Sequence, residues 1–208
     1  MMPILSFACL PSTQLYLVEQ VKQHALKLPV CVIAQTQNAG VGSRGCVWEQ
    51  VEEGLTFSFA IALGDLPADV PRQSWSVYFG YLFKESLSNA QVWLKWPNDL
   101  YKGEEKIGGV MSQIVRDSIV CGIGLNLKAQ HYGALGMLDK EALLQVFLTR
   151  VQAGISWQEV LKAYRLEFSA RHQHCFFHDR GVRVPLRGAR VLDDGGLQIG
   201  QQVYYGAR

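Results

Sequence analysis

Between Gly40 and Gly45 the chain reads Gly-Val-Gly-Ser-Arg-Gly, where glycines let backbone N–H groups approach an anion and Arg44 adds a fixed cation. Further along stand Lys95-Trp96-Pro97-Asn98-Asp99 and Lys106-Ile107-Gly108-Gly109, with Gly122-Ile-Gly-Leu-Asn126 beyond them. Three cations (Arg44, Lys95, Lys106) and one carboxylate (Asp99) therefore lie among glycines. That combination suits chemistry on a negatively charged substrate, in which charge must be met locally and backbone must come close.

Two other constellations of residues also suggest chemistry. Gly40 to Gly45 also fits GxGxxG, and Asp65 lies about 20 residues further on, as in a dinucleotide-binding unit. However, only nine residues separate Gly45 from the next strand, and they include Gly54 and two valines, so the helix that unit needs has no room. His172, His174, Cys175 and His178 have spacing compatible with zinc, but they end an amphipathic helix where histidines also suit the helix dipole.

The elements that must position these residues follow from periodicity. Ser12 and Thr13 cap a predicted helix carrying Leu17, Val21, Ala25 and Leu28 at helical spacing, expected to end near Leu28. Val30 to Ala34 is a short β-branched strand delivering the glycine loop. Leu55 to Leu63 alternates large apolar residues with Thr, Ser and Ala, which predicts a strand with one large and one small face. A buried helix is predicted from about Gln73 to Ser88. Strands follow at Val92–Trp96, Lys106–Val115 and Ile119–Leu127, the last two as a hairpin. Helices at about 140–153 and 157–172 close the main body, and Gly-punctuated short strands begin after Asp179. The expected domains are therefore residues 1–178 and a small β appendage, residues 179–208.

The 208 residues suffice for one core with an add-on but not for two average domains. Apolar residues make up 49% and charged residues 18%, outside the disordered range. A formal charge of +2 argues against a chain that binds nucleic acid through bulk charge. From Lys162 to Arg208, 8 basic against 4 acidic residues leave a local +4 that would suit an acidic partner or a plain solvated face. No apolar run approaches the roughly 18 residues of a membrane span, and the N-terminus lacks a secretory n-region, so a cytoplasmic, non-membrane protein is expected. Five scattered cysteines without a CxxC pair suggest neither a disulfide framework nor a zinc ribbon.

Taken in order, the glycine loop followed by Trp48, the KWPND segment, the K-x-x-G segment and the GxGxN segment resemble the biotin protein ligases. The resemblance implies the class II synthetase-like biotin/lipoate ligase fold, an α/β architecture with a mixed, largely antiparallel sheet flanked by helices and a small C-terminal SH3-like β domain. It implies that ATP and Mg²⁺ activate biotin as biotinyl-5′-adenylate, which is then passed to a lysine of a biotin carboxyl carrier protein of acetyl-CoA carboxylase. By that resemblance Lys106, Arg44 and Asp99 are catalytic, with Asp99 holding Mg²⁺ or orienting the attacking amine. Ser12, Thr13, Gln37, Gly40, Gly42, Lys106, Gly108, Gly109 and Gly122 would bind biotin. Arg44, Trp48, Asn98, Lys106 and Asn126 would bind ATP, with Trp48 as the adenine platform.

This sequence departs from the family's usual GRGRxG loop by placing Val41 and Ser43 where arginines normally stand. The expectation is a looser hold on the adenylate. A short N-terminus leaves no room before Ser12 for a DNA-binding helix-turn-helix, so no DNA partner is expected; a homodimer stays open. The rival readings are a lipoate or octanoate ligase and a non-catalytic binder of biotin or nucleotide.

Overall fold

The computed structural model describes residues 1–206 other than Ala90, with Arg44 described by its backbone alone. Seven strands form the main sheet: β1 (Ile4–Leu10), β2 (Val30–Gln37), β3 (Glu53–Ala62), β4 (Val92–Lys95), β5 (Asp99–Lys102), β6 (Glu105–Val115) and β7 (Ser118–Lys128). Their order is β1-β2-β3-β7-β6-β5-β4, and β1–β2 is the parallel pair while the other neighbours run antiparallel. A parallel pair needs a crossover, which α1 (Thr13–Lys22) supplies.

β1 had no counterpart in the sequence reading. It is an edge strand whose burial does not alternate cleanly, so its side chains carry little period-2 signal. The first helix also ends earlier than its apolar spacing predicts. At Lys22 the chain turns into a Schellman-type cap, with His24 at φ 54°, His24 N–H on the Val21 carbonyl at 3.2 Å and Ala25 N–H on that of Gln20 at 2.9 Å. Ala25 and Leu28 therefore belong to the connection, not the helix.

The predicted two-faced strand is β3. Leu55, Phe57, Phe59 and Ile61 enter the larger core beneath α2 (Trp75–Ser86), α3 (Lys140–Gln152) and α4 (Trp157–Arg171). Phe57 and Phe59 each meet Phe147 edge-on, and Phe59 also meets Phe79. Each such ring contributes roughly 1.5–3 kcal/mol by its burial. On the opposite face α1 packs Leu17, Val18 and Val21 onto Val32, Ala34, Ala60 and Val120, leaving the rest of that face to small residues. Strand register aligns them: Ala34, Thr56, Gly124, Gly109 and Asp99 form one row across five strands, and Val32, Ser58, Gly122 and Met111 form the next.

The far edge of the sheet is β4, and α4 covers it. Glu167 Oε1 accepts the Leu94 N–H at 2.9 Å, and His172 Nε2 accepts that of Trp96 at 3.1 Å, satisfying edge donors that would otherwise invite a foreign strand. Short strands begin at Phe176, three residues before the expected Asp179 transition: β8 (Phe176–Asp179) pairs with β9 (Val182–Pro185). A separate three-stranded sheet is built from β10 (Arg190–Val191), β11 (Leu197–Ile199) and β12 (Gln202–Tyr204). Its 193–195 turn is tied to the main body through carbonyls that accept from Trp157 Nε1 at 2.6 Å, Ser74 Oγ at 2.6 Å and Trp96 Nε1 at 3.1 Å.

Candidate functional site

A cavity of about 350 Å³ opens on the small-residue face of the sheet, where Thr56, Ser58, Gly122 and Gly124 are its floor. The first turn of α1 closes one end. Ser12 caps the helix by accepting the Leu15 N–H at 3.3 Å, while the Thr13 N–H donates to Gln37 Oε1 at 2.7 Å. Thr13 Oγ1 and Ser58 Oγ share a hydrogen bond of 2.9 Å. One end of the cavity is thus lined by hydroxyls and carboxamides, of which Ser12, Thr13, Gln14 and Ser58 are buried and Gln37 is partly buried.

The glycine loop folds into a small hairpin over the opening. Trp48 N–H donates to Gly40 O at 2.9 Å, Gly42 N–H donates to Cys46 O at 2.7 Å, and a 3-10 turn at Ser43–Gly45 forms the tip. From this hairpin the Trp48 indole lies across Gly124: a Cβ there would sit 2.4 Å from the ring. Ser43 Oγ accepts from Asn98 Nδ2 at 3.2 Å, and the same amide donates to the Val110 carbonyl at 2.8 Å. Asn98 therefore pins the loop tip to β6.

Opposite the polar end stand the charges. Lys106 Nζ meets Asp99 Oδ1 at 2.7 Å, with the Lys106 side chain half exposed to the cavity mouth. Lys95 also lines the cavity: its ammonium donates to Tyr101 Oη at 3.3 Å and lies over the rings of Tyr101 and Phe176. Burial lowers its pKa from the ordinary lysine value.

Ten of the residues given catalytic or binding roles by the resemblance line this cavity: Ser12, Thr13, Gln37, Gly42, Trp48, Asn98, Asp99, Lys106, Gly109 and Gly122. Three do not reach its wall. Gly40 lies under the Trp48 carbonyl, 2.7 Å from where its Cβ would be, and Gly108 faces the Gly124 carbonyl at 2.6 Å on the same measure. Asn126 donates from Nδ2 to Gly133 O at 3.1 Å and so fastens the 129–136 loop instead. The side chain of Arg44 lies outside the described residues. Two β7 glycines also leave room for neighbouring side chains: a Cβ at Gly124 would meet Trp48, and one at Gly122 would meet the Gln14 carboxamide.

Sequence reasoning missed Gln14, Thr56, Ser58 and the rim residues Phe176 to His178. For Thr56 and Ser58 the signal existed in the small face of the alternating strand. The histidine group is not assembled for a metal: His172 is buried against Trp96, and among the described residues no set of three His, Cys, Asp or Glu side chains is grouped to hold an ion.

The sequence profile of the Biotin/lipoate A/B protein ligase family matches residues 6–128, well over half of the chain. This chain belongs to that family. Among curated proteins it is similar to the bifunctional ligase/repressor BirA of Salmonella typhimurium strain LT2, at 27% identity over 192 residues, 88% of this chain and 57% of that protein. A biotin–[acetyl-CoA-carboxylase] ligase of Mycobacterium tuberculosis strain H37Rv is 30% identical over 107 residues, 47% of this chain and 39% of that one. The chain thus spans less than two thirds of these relatives. A solved structure of the biotin acetyl coenzyme A carboxylase synthetase of Helicobacter pylori, with bound biotinylated ATP, is 40% identical. It superposes with a TM-score of 0.95 and covers 99% of this chain and 100% of its own. The mixed, largely antiparallel sheet with its helices and small C-terminal sheets is the architecture of this ligase family.

Proposed function

We propose that this chain is a biotin protein ligase, which joins biotin to a carrier lysine through biotinyl-5′-adenylate. The observation that carries the reading is one cavity with hydroxyl and carboxamide groups at one end, the Lys106 ammonium at its mouth and the Trp48 indole laid across its floor. Names of the relatives support the acid, the nucleotide and acetyl-CoA carboxylase as source of the acceptor.

In this reading Ser12, Thr13 and Gln37 hold the ureido ring, with Gly42 above it and Gly109 and Gly122 beneath. A carboxylate oxygen of biotin attacks the α-phosphorus of ATP, the bond to the bridging oxygen breaks, and pyrophosphate leaves. Lys106 neutralises both anions as they come within bonding distance, exchanging Asp99 for them. Trp48 stacks on the base and Asn98 fixes the loop above it. The acceptor lysine, as free amine, then attacks the acyl carbon; AMP leaves and the amine proton is lost to solvent or to Asp99.

Asp99 is the one carboxylate among the described residues lining the cavity, and Lys106 already meets it. That donor set does not fit a resident metal, so Mg²⁺ enters as the counter-ion of the ATP phosphates. The proposal extends to a cytoplasmic ligase without a DNA partner, organised as a catalytic unit over residues 1–178 and an SH3-like unit over residues 179–208.

ATP–pyrophosphate exchange with Mg²⁺ tests the reading, because it isolates adenylate formation from the acceptor. Exchange that requires biotin is expected. Exchange with lipoate alone, or with neither acid, would overturn it.

A further inference from the structure

Of the lysine and carboxylate side chains described in the cavity wall, Lys106 and Asp99 neutralise each other at 2.7 Å, and Lys95 is left over. Among the described residues Lys95 forms no ion pair. Its ammonium gives one N–H to Tyr101 Oη and keeps two more, while the rings of Tyr101 and Phe176, at 4.9 and 5.0 Å, favour its charged form. The Phe176 ring also carries Arg183, whose Cζ lies 3.5 Å from its centroid and which likewise enters no ion pair among the described residues. Positive charge is therefore gathered on the β4 side of the cavity, held by rings and not by carboxylates.

Strand register places that charge at the end of a line. Gly124, Gly109 and Asp99 are successive partners on β7, β6 and β5, and Lys95 on β4 is the next. Residues directly opposite one another project to the same face. That face is the cavity's, because a Cβ at Gly109 would lie 3.8 Å from both Asp99 Oδ1 and the Trp48 ring. With strands about 4.8 Å apart, Lys95 stands about 10 Å beyond Gly109 and about 14 Å beyond Gly124. The indole platform, the Lys106–Asp99 pair and Lys95 thus follow one another across the sheet, which is the order of base, α-phosphate and terminal phosphates in a nucleotide.

The direction of the displacement agrees. In the proposed reading the acid runs from the Thr13–Ser58 end on β3 toward Lys106 on β6, and attack at phosphorus sets the leaving oxygen in line with the incoming one. Continued past Lys106, that line crosses β5 and reaches β4. Resting on the proposed biotin ligase reading, we infer that Lys95 is the binding residue for the β- and γ-phosphates of ATP and for the pyrophosphate that leaves. As the bond from the α-phosphorus to the bridging oxygen breaks, its electron pair stays on that oxygen, and the two remaining N–H groups of Lys95 meet the new charge. Arg183, on the same ring, adds to the potential that holds it.

Titration calorimetry of ATP and of AMP on the full chain tests this, with the alcohol analogue of biotin present so that the acid site is filled and nothing turns over. Lys95→Met keeps the length and apolar stem of the side chain but removes the charge. ATP affinity should fall about tenfold or more, and AMP, which lacks the two terminal phosphates, should bind as before. In biotin-dependent exchange the same variant should need about tenfold more pyrophosphate to reach half its maximal rate. Lys95→Arg, which keeps the charge, should stay close to the natural protein in both assays. ATP and AMP weakened together, neither weakened, or an unchanged pyrophosphate requirement would overturn the inference. A loss confined to biotin transfer onto the acceptor would do so too, assigning the cation to the carrier protein. Should Lys95→Met fail to fold, the natural protein decides: a preference for ATP over AMP of about tenfold that shrinks as salt rises upholds the site, and equal affinity refutes it. A natural protein that binds neither nucleotide would sink the ligase reading itself, a separate result.

Discussion

The imidazole of His172 accepts the Trp96 N–H at 3.1 Å, joining the C-terminal end of α4 to the first residues after β4. Because Nε2 is the acceptor, the proton sits on Nδ1 and faces the Phe168 carbonyl at 3.2 Å. Burial, aided by the nearby Lys95 charge and opposed by the Phe168 hydrogen bond, pushes the ring down to about 3 from its ordinary 6.5. Unfolded chains take up this proton near pH 6.5, whereas the folded one resists it until about pH 3. Stability is therefore full above about 6.5 and declines as the pH falls toward about 3, by roughly 1.4 kcal/mol per unit from this group. Urea unfolding of the natural protein and His172→Gln at several pH values between about 7 and 5 should show the steeper decline in the natural protein. Parallel pH profiles would contradict it.

Lys106 and Asp99 form a pair with side-chain exposures of 49% and 26%, too open to water to contribute much to stability. Lys106→Met should leave the thermal midpoint nearly unchanged and lower biotin-dependent pyrophosphate exchange by about 10²–10³-fold, chiefly through kcat. A loss confined to the KM for biotin would assign the lysine to ground-state binding instead.

How much of this was legible before the fold is clearest at β3. Alternation of Leu, Phe and Ile with Thr, Ser and Ala specified both a core face and a bare face, and the bare face became the cavity floor. Lys106 and Asp99 were legible as types, but their contact depends on register: Asp99 opposes Gly109, which brings the carboxylate level with the β6 segment that starts at Lys106. Gln14 carried no signal, because a first-turn glutamine beside a capping serine looks like helix surface until β7 is laid against it. Asn126 was legible as a motif residue, but its Nδ2 bond to the Gly133 carbonyl depends on a loop that no local pattern places. Phe176 to His178 reach the rim by the packing of a separate hairpin, which no local pattern encodes.

The two β7 glycines separate the halves of the site. A methyl at Gly124 would stand 2.4 Å from the Trp48 ring, and one at Gly122 would stand 2.7 Å from Gln14 Oε1. Gly124→Ala should displace the indole and weaken ATP binding by about 1–3 kcal/mol, with biotin affinity changed little. Gly122→Ala should do the reverse. Calorimetry with each ligand separately decides, and equal losses for both ligands in both variants would show that the floor fails as a unit.

Ser43 ties the glycine loop to Asn98 with a single neutral hydrogen bond of 3.2 Å, where the family usually places an arginine. A guanidinium there would add a charge-assisted contact to the adenylate phosphate, worth about 1.5–3 kcal/mol. Biotinyl-adenylate should therefore leave Ser43→Arg at least about tenfold more slowly than it leaves the natural protein, measured by chasing preformed intermediate without acceptor. The loop hairpin itself does not depend on Ser43, because Gly40–Trp48 and Gly42–Cys46 close it through backbone alone. Ser43→Ala should accordingly preserve the fold and speed release modestly. Identical release rates in Ser43→Arg and the natural protein would mean that Asn98 and the hairpin already hold the intermediate as well as a charge would.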